Sequence, residues 1–362
     1  MTDKKQHSSA LDEKEGIEKP NHLSKQGAKK LKENRKKKPS IDQLIQGILN
    51  GDKTFLSRAI TKIESKAPKH QIHSKEIIEA CISHANQSVR IGITGVPGAG
   101  KSTFIEVFGK LLVDMGYKIA VLAIDPSSSI SKGSILGDKT RMEELVKEDN
   151  AFIRPSASGE TLGGVARKTR EAIILCEAAG YDIIIIETVG VGQSETAVHS
   201  MTDFFLLLKI AGAGDELQGI KRGIVEMADA IVINKADGDN VQAAKLAMTN
   251  FNNALHLYPS KESDWTPKAM ICSSINNTGI SEIWDLITEY LAHTKGNGYF
   301  SKKREKQNEY WLLQTIESSL KRHFFNDPKV KSELEKQLKM LNQNKTSPFE
   351  AAQRLLDLRD SK

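Results

Sequence analysis

The chain has 362 residues, 27% of them charged and 39% hydrophobic, with a formal net charge of +6. That excess sits in residues 1–40, which carry 12 Lys/Arg against 6 Asp/Glu, while the other 322 residues balance at 40 and 40. A neutral body argues against a basic nucleic-acid binder. No run approaches 18 apolar residues, which argues against a membrane-spanning helix, and the isolated Cys81, Cys176 and Cys272 argue against a disulfide framework.

Residues 1–40 begin MTDKKQHSSALDEKEG, with no apolar core and only Arg35 among the arginines. Neither a secretory signal nor a transit peptide is expected, and a cytoplasmic location with reduced thiols fits. The segment holds too few large apolar residues to offset its ordering entropy, so it reads as a disordered basic tail. Residues 41–88 read as an N-terminal helical segment, with stripes at Leu44, Ile45, Ile48 and Leu49, at Leu56, Ile60 and Ile63, and at Ile77, Ile78 and Ile82. His70 and His73 within it form H-x-x-H, read as solvated loop residues and not as metal ligands.

From residue 89 to 296 short apolar runs alternate with helical stretches. Strands are predicted at 90–94, 119–124, 182–186, 203–209, 229–233 and 268–272. They lack polar alternation, as strands covered on both faces do. The expected fold class is α/β, a doubly wound, mainly parallel sheet. Residues 297–362 are predicted as a charged helical arm. Trp311, Leu313, Ile316 and Leu320 mark one helix. Asp327-Pro328 starts the next, with Val330, Leu334, Leu338 and Leu341 as its stripe. Ser347-Pro348-Phe349-Glu350 is a capping box opening a last helix through Ala351, Ala352, Leu355 and Leu356.

The strongest motif is Gly95-Val96-Pro97-Gly98-Ala99-Gly100-Lys101-Ser102, followed by Thr103. It matches G-x-x-x-x-G-K-[ST] between a predicted strand and a predicted helix. Glycines permit a tight loop whose N–H groups face phosphate oxygens, and the helix adds its positive end. Lys101 supplies charge to the β/γ phosphates and Ser102 a hydroxyl to Mg²⁺. Three later acids are candidates for the metal and the attacking water: Asp125 after strand 119–124, Asp138 in a Gly-rich loop, and Glu187 after strand 182–186. Gly190 offers a backbone N–H for the γ-phosphate. Asn234-Lys235-Ala236-Asp237 is N-K-x-D following a strand. A carboxylate there accepts from guanine N1–H and N2–H₂ together, a donor pair adenine lacks, so Asp237 should select GTP. The Lys235 stem packs on the purine face. Ser273, Ser274 and Ile275, after strand 268–272, are placed to close the base pocket.

Together GVPGAGKST, the DPSS at 125–128, GSILGDKTRM at 133–142, ETVGVGQSE at 187–195, GAGDELQGIK at 212–221 and NKAD resemble the MeaB/ArgK/MMAA GTPases. These are G-protein chaperones of adenosylcobalamin-dependent methylmalonyl-CoA mutase. The resemblance runs from about residue 42 to PFEAAQRLL. It implies a P-loop GTPase with Mg²⁺ and GTP/GDP as ligands, a homodimer joined by the C-terminal arm, and an adenosylcobalamin-dependent acyl-CoA mutase as partner. It also implies nucleotide-gated cofactor delivery, protection of the mutase, and a switch at 212–221 with Asp215 and Lys221 as polar contacts. Neither a nucleic-acid nor a membrane partner is expected. Where the family usually has Thr-Gly-Gly before SILGD, this chain has Ser131-Lys132-Gly133. No arginine finger is evident beyond the candidates Arg141 and Arg167. A chaperone of a related acyl-CoA mutase, a metal-insertion GTPase and a small-molecule kinase remain alternatives at this stage.

Overall fold

The computed structural model describes residues 39–65, 67–124, 142–155, 162–188, 194–212 and 222–360. Asp125, Asp138, Arg141, Gly190, Asp215 and Lys221 lie outside the described residues, as does the tail through Lys38. Helices α1 (Ile41–Leu49), α2 (Lys53–Glu64) and α3 (Pro68–Cys81) come first. Asp52 caps α2, its Oδ1 accepting from the amides of Thr54 at 2.7 Å and Phe55 at 3.2 Å. Pro68 opens α3 at a position where its missing N–H is harmless. His70 and His73 lie on this helix and not in a loop.

Seven strands follow: β1 (Val89–Gly95), β2 (Ile119–Ile124), β3 (Ala151–Arg154), β4 (Ile183–Thr188), β5 (Phe204–Ile210), β6 (Ala230–Asn234) and β7 (Lys268–Ile271). Their order is β3-β2-β4-β1-β5-β6-β7, and every pair is parallel. Six strands match predicted runs. β3 does not, because four residues on a sheet edge leave too short a pattern to read. The linking helices are α4 (Lys101–Asp114), α5 (Leu162–Ala178), α6 (Ser194–His199), α7 (Arg222–Met227), α8 (Val241–Leu255) and α9 (Ile280–Gly296).

Alternate strand residues feed opposite faces. Ile91, Ile93, Leu206 and Leu208 pack with Phe104 and Phe108 of α4 and with Ile283, Ile287 and Tyr290 of α9. Ala120, Ile184, Ile186 and Phe205 pack with Ile173 and Cys176 of α5, and Leu44, Ile48, Ile60 and Ile77 of α1–α3 complete that cluster. The first three helices thus form an outer layer over α5. Each fully buried Leu, Ile or Phe contributes about 1.5–3 kcal/mol. At the amino edge of the sheet three aspartates take neighbouring backbone amides: Asp182 from Lys118 at 2.8 Å, Asp203 from Arg90 at 2.8 Å and Asp229 from Phe205 at 3.0 Å.

The chain ends in α10 (Tyr299–Asn326), α11 (Pro328–Asn342) and α12 (Pro348–Asp360). Asp327 caps α11 by accepting from Lys329 N at 2.7 Å. Ser347 Oγ accepts from Glu350 N at 3.1 Å, while the Glu350 carboxylate turns to Arg354 at 2.7 Å. α10 corrects the expected stripe. Lys303, Arg304 and Gln307 are its buried residues, whereas Leu313, Ile316 and Leu320 are exposed, as is Leu312. Among the described residues no helix is long and apolar enough to cross a membrane.

Candidate nucleotide site

The site lies at the carboxyl edge of β1, β4 and β6, where open parallel sheets bind ligands. The loop 95–100 leaves β1 and enters α4 through Gly100, which stands at φ 81° as the N-cap. A Cβ at Gly100 would sit 2.8 Å from Asn234 Nδ2, so this position needs glycine for its backbone and for close approach. Pro97 and Gly98 are exposed, Val96 is partly so, and Ala99 is buried. Ala99 N donates to Val96 O at 3.1 Å, closing the turn. Lys101 is buried, and its Nζ donates to the carbonyls of Gly95 at 2.8 Å and Val96 at 3.2 Å. The ammonium is therefore held inside the loop. Thr103, in the first turn of α4, is exposed.

Ser102 and Glu187 meet. Ser102 Oγ donates to Glu187 Oε1 at 3.2 Å. Glu187 stands at the end of its strand as expected, with β4 running one residue beyond it; it pairs with Ile93 and Ala123 and is buried. The adjacent Thr188 donates from Oγ1 to Thr94 Oγ1 at 2.8 Å in a fully buried pair. This bond joins the end of β4 to the strand that bears the loop. Its members are ordinary strand threonines in sequence, and nothing in the sequence marks them. A hydroxyl and a carboxylate converging at a helix N-terminus are hard oxygen donors of the kind Mg²⁺ takes, so the residues present fit that ion.

The N-K-x-D segment leaves β6. Asn234 is buried and works as a brace. Its Nδ2 donates to Ala99 O at 3.0 Å, and its Oδ1 accepts from Ser274 N at 3.2 Å and Ser274 Oγ at 2.9 Å. One side chain thus ties the phosphate loop to the 272–275 loop. Cys272 Sγ also approaches Asn234 Oδ1, at 3.4 Å. Burial, with the negative charge of Asp237, pushes that thiol up to about 12, so it stays a donor. Lys235 adopts φ 59°, and its Cε lies 3.8 Å from the Cβ position of Gly100. Its stem therefore runs back toward the phosphate loop. Asp237 Oδ2 accepts from Ser273 Oγ at 2.5 Å, and Ser273 Oγ accepts from Asn276 N at 3.1 Å. Ser273 and Thr278 exchange backbone hydrogen bonds at 3.0 and 3.1 Å, which closes the loop below Ile275. The Ile275 side chain itself is 74% exposed.

The described residues therefore bring Lys101, Ser102 and Glu187 to one end of a hydrogen-bonded arrangement. Asp237, Ser273 and Ser274 stand at the other end, with Asn234 between. Of the two arginine candidates, Arg167 lies on α5 and pairs with Glu171 at 2.9 Å.

The sequence profile described as "Methylmalonyl Co-A mutase-associated GTPase MeaB" matches residues 56–329. GTPase ArgK of Escherichia coli strain K12 is 46% identical over 286 residues, 79% of this chain and 86% of that protein. The mitochondrial methylmalonic aciduria type A homolog of Mus musculus is 42% identical over 326 residues, 87% of this chain and 79% of that protein. The solved structure of a LAO/AO transport system kinase superposes with a TM-score of 0.70 at 36% identity, covering 88% of this chain and 97% of that one. With the P-loop, the N-K-x-D loop and the all-parallel sheet in place, the chain belongs to the MeaB family of P-loop GTPases.

Proposed function

We propose that this GTPase is a chaperone of an adenosylcobalamin-dependent acyl-CoA mutase, methylmalonyl-CoA mutase first among them. In this reading it gates cofactor loading and protects the mutase from inactivation. The observation that carries the nucleotide half is the pairing of Ser102 with Glu187 beside Lys101, joined through Asn234 to the Asp237–Ser273 pair. The mutase half is supported by the family description and by the mouse relative's name.

Hydrolysis of GTP to GDP and phosphate requires positioning and charge neutralisation more than covalent chemistry. Lys101 exchanges its carbonyl partners for β/γ-phosphate oxygens, and the loop amides cradle the same groups. Ser102 and Glu187 would hold Mg²⁺, with Asp125 and Asp138 as further candidate ligands. When bound, that ion neutralises negative charge on the β and γ phosphates. Because Glu187 is engaged with Ser102, it fits the metal shell better than the role of water-orienting group, which falls to Asp125 or Asp138. Gly190 offers its amide to the γ-phosphate. Asp237 reads the guanine edge, Lys235 lies along the purine face, and Ser273, Ser274 and Ile275 close the pocket. Asp215 and Lys221 act in the switch that conveys nucleotide state.

The exposed Leu312, Leu313, Ile316 and Leu320 of α10 support a homodimer formed through residues 297–362. The three cysteines, buried and unbridged, support a reducing compartment, and we place the protein in the cytoplasm. The test is capture of purified cobalamin-dependent mutases on the immobilised protein, with GDP and a non-hydrolysable GTP analogue compared. Binding that differs between the two nucleotides is expected. Failure to bind any such mutase in either state sinks the chaperone reading, and phosphate transfer to an added small acceptor would favour a kinase.

A further inference from the structure

The parallel ladder between β1 and β4 ends at the pair Ile93–Glu187. Beyond it each strand stays with its other neighbour. β1 runs on beside β5 to the pair Gly95–Leu208, and β4 runs on beside β2 to the pair Thr188–Ile124. The sheet therefore forks between Thr94 and Thr188.

The two candidate metal donors stand on opposite prongs of this fork. Ser102 belongs to the β1 prong, through the loop 95–100 and the first turn of α4, and Lys101 is tied to the same prong by its bond to Gly95 O. Glu187 belongs to the β4 prong. Their 3.2 Å hydrogen bond spans the fork, and so must any ion held by both. The width of the fork decides how closely the two oxygens can meet on one cation.

Thr94 and Thr188 span the same fork from behind. Side chains alternate across a strand. Ile93 packs in the cluster of α4, where Glu187 meets Ser102, while Thr188 shares the face of Ile186, which packs in the cluster of α5. On that face Thr188 Oγ1 donates to Thr94 Oγ1 at 2.8 Å, and neither residue is more than 1% exposed. Such a pair adds little net stability over two valines of the same shape. What it adds is a fixed, directional separation, which two methyl groups in contact leave loose. Mg²⁺ is sensitive to such a separation. It requires near-ideal octahedral geometry at about 2.0–2.1 Å, whereas Ca²⁺ accepts a flexible shell at about 2.3–2.6 Å.

We infer that Thr94 and Thr188 are positioning residues that hold the fork at the width Mg²⁺ requires, and so favour Mg²⁺ over Ca²⁺ in the nucleotide complex. The inference rests on the reading of Ser102 and Glu187 as the metal's protein donors.

The test uses the full chain carrying Thr94→Val together with Thr188→Val, beside the single variant Thr188→Ser. Replacing both hydroxyls leaves neither one buried without a partner, so the thermal midpoint of the double variant should match that of the unaltered chain. Binding of a fluorescent non-hydrolysable GTP analogue is titrated without divalent ion, with Mg²⁺ and with Ca²⁺. In the double variant the Mg²⁺ concentration that half-maximally tightens binding should rise roughly fivefold, the equivalent of one hydrogen bond. The Ca²⁺ requirement and the metal-free affinity should move by less than about twofold. Thr188→Ser keeps the hydroxyl and should keep the unaltered Mg²⁺ requirement. An unchanged Mg²⁺ requirement in the double variant overturns the inference. An equal loss with both ions, or a fall in metal-free affinity, also overturns it, because either marks a general disturbance of the site. A lowered midpoint with the ion preference unchanged marks a packing role alone and overturns it too. Glu187→Gln tests the underlying reading. If that variant leaves the Mg²⁺ requirement unaltered, the metal donors are misassigned and the inference falls with them. If it raises the requirement and the double variant does not, the threonine pair alone is refuted.

Discussion

Replacing Asp237 by Asn isolates the base-reading chemistry. The Asp237 carboxylate is oriented before a base arrives, because Oδ2 accepts from Ser273 Oγ at 2.5 Å and that hydroxyl is fixed in turn by Asn276 N at 3.1 Å. Guanine presents N1–H and N2–H₂ side by side, and a carboxylate accepts both. Asparagine keeps the shape but offers one acceptor and one N–H₂ donor. One hydrogen bond becomes a donor facing a donor, and the other loses its charge. A hydrogen bond to a charged group contributes about 1.5–3 kcal/mol, so the combined loss is about 2–4 kcal/mol. At 1.4 kcal/mol per decade this is a weakening of roughly 30- to 700-fold in GTP and GDP affinity. Calorimetric titration of both proteins with GTP and with xanthosine triphosphate supplies the assay. Xanthine carries a carbonyl where guanine carries the amino group. The side-chain amide of the Asp237→Asn variant would donate to that carbonyl, so the variant should prefer the xanthine nucleotide. GTP affinity left unchanged, or an equal loss for both nucleotides, would refute the assignment of Asp237.

Four other substitutions test the site and the stability of the fold around it. Lys101→Ala removes the buried ammonium held at Gly95 and Val96, and GTP turnover should fall by roughly 100-fold or more, read as phosphate release. Asp203→Ala strands the buried Arg304 guanidinium and should lower unfolding free energy by about 3–5 kcal/mol in denaturant titration. Lys306→Ala, which breaks an exposed, solvent-screened pair with Glu262, should leave the denaturation midpoint unchanged. His199 is held down to about 4 by burial and then by the Lys303 charge, against an ordinary 6.5. The folded state therefore favours its neutral form. Its contribution is full above 6.5 and drains away as pH falls toward 4, a loss of about 2 kcal/mol by pH 5. His199→Gln should flatten the change in melting temperature between pH 7 and 5, and an unaltered slope would show that His199 does not govern it.

What the sequence makes legible here is what depends on neighbours in the chain. Eight consecutive residues specify the phosphate loop, four specify the base reader, and Asp52 and Asp327 cap their helices by reaching two or three residues ahead. Alternation between covered strands and helices likewise foretells the parallel sheet. The errors share a cause. β3 is a four-residue edge strand with one neighbour, so its placement comes from pairing with β2 and not from its own pattern. On α10 a search for apolar periodicity picks Leu313, Ile316 and Leu320, which are exposed, and passes over Lys303, Arg304 and Gln307, which are buried. Long polar side chains are costly to bury unless each meets a specific partner, and those partners lie far away in sequence. Arg304 finds Asp203 and Gln307 finds Thr202, about a hundred positions earlier. Asn234 shows the same limit within a recognised motif. Its identity is plain from N-K-x-D, but its bonds to Ala99 and Ser274, which tie two loops together, require the fold. Periodic burial thus reports layers, and local motifs report chemistry. The attachment of α10 to the turn at 200–203 is built from single long-range polar contacts that carry no period, so it becomes visible only once the chain has folded.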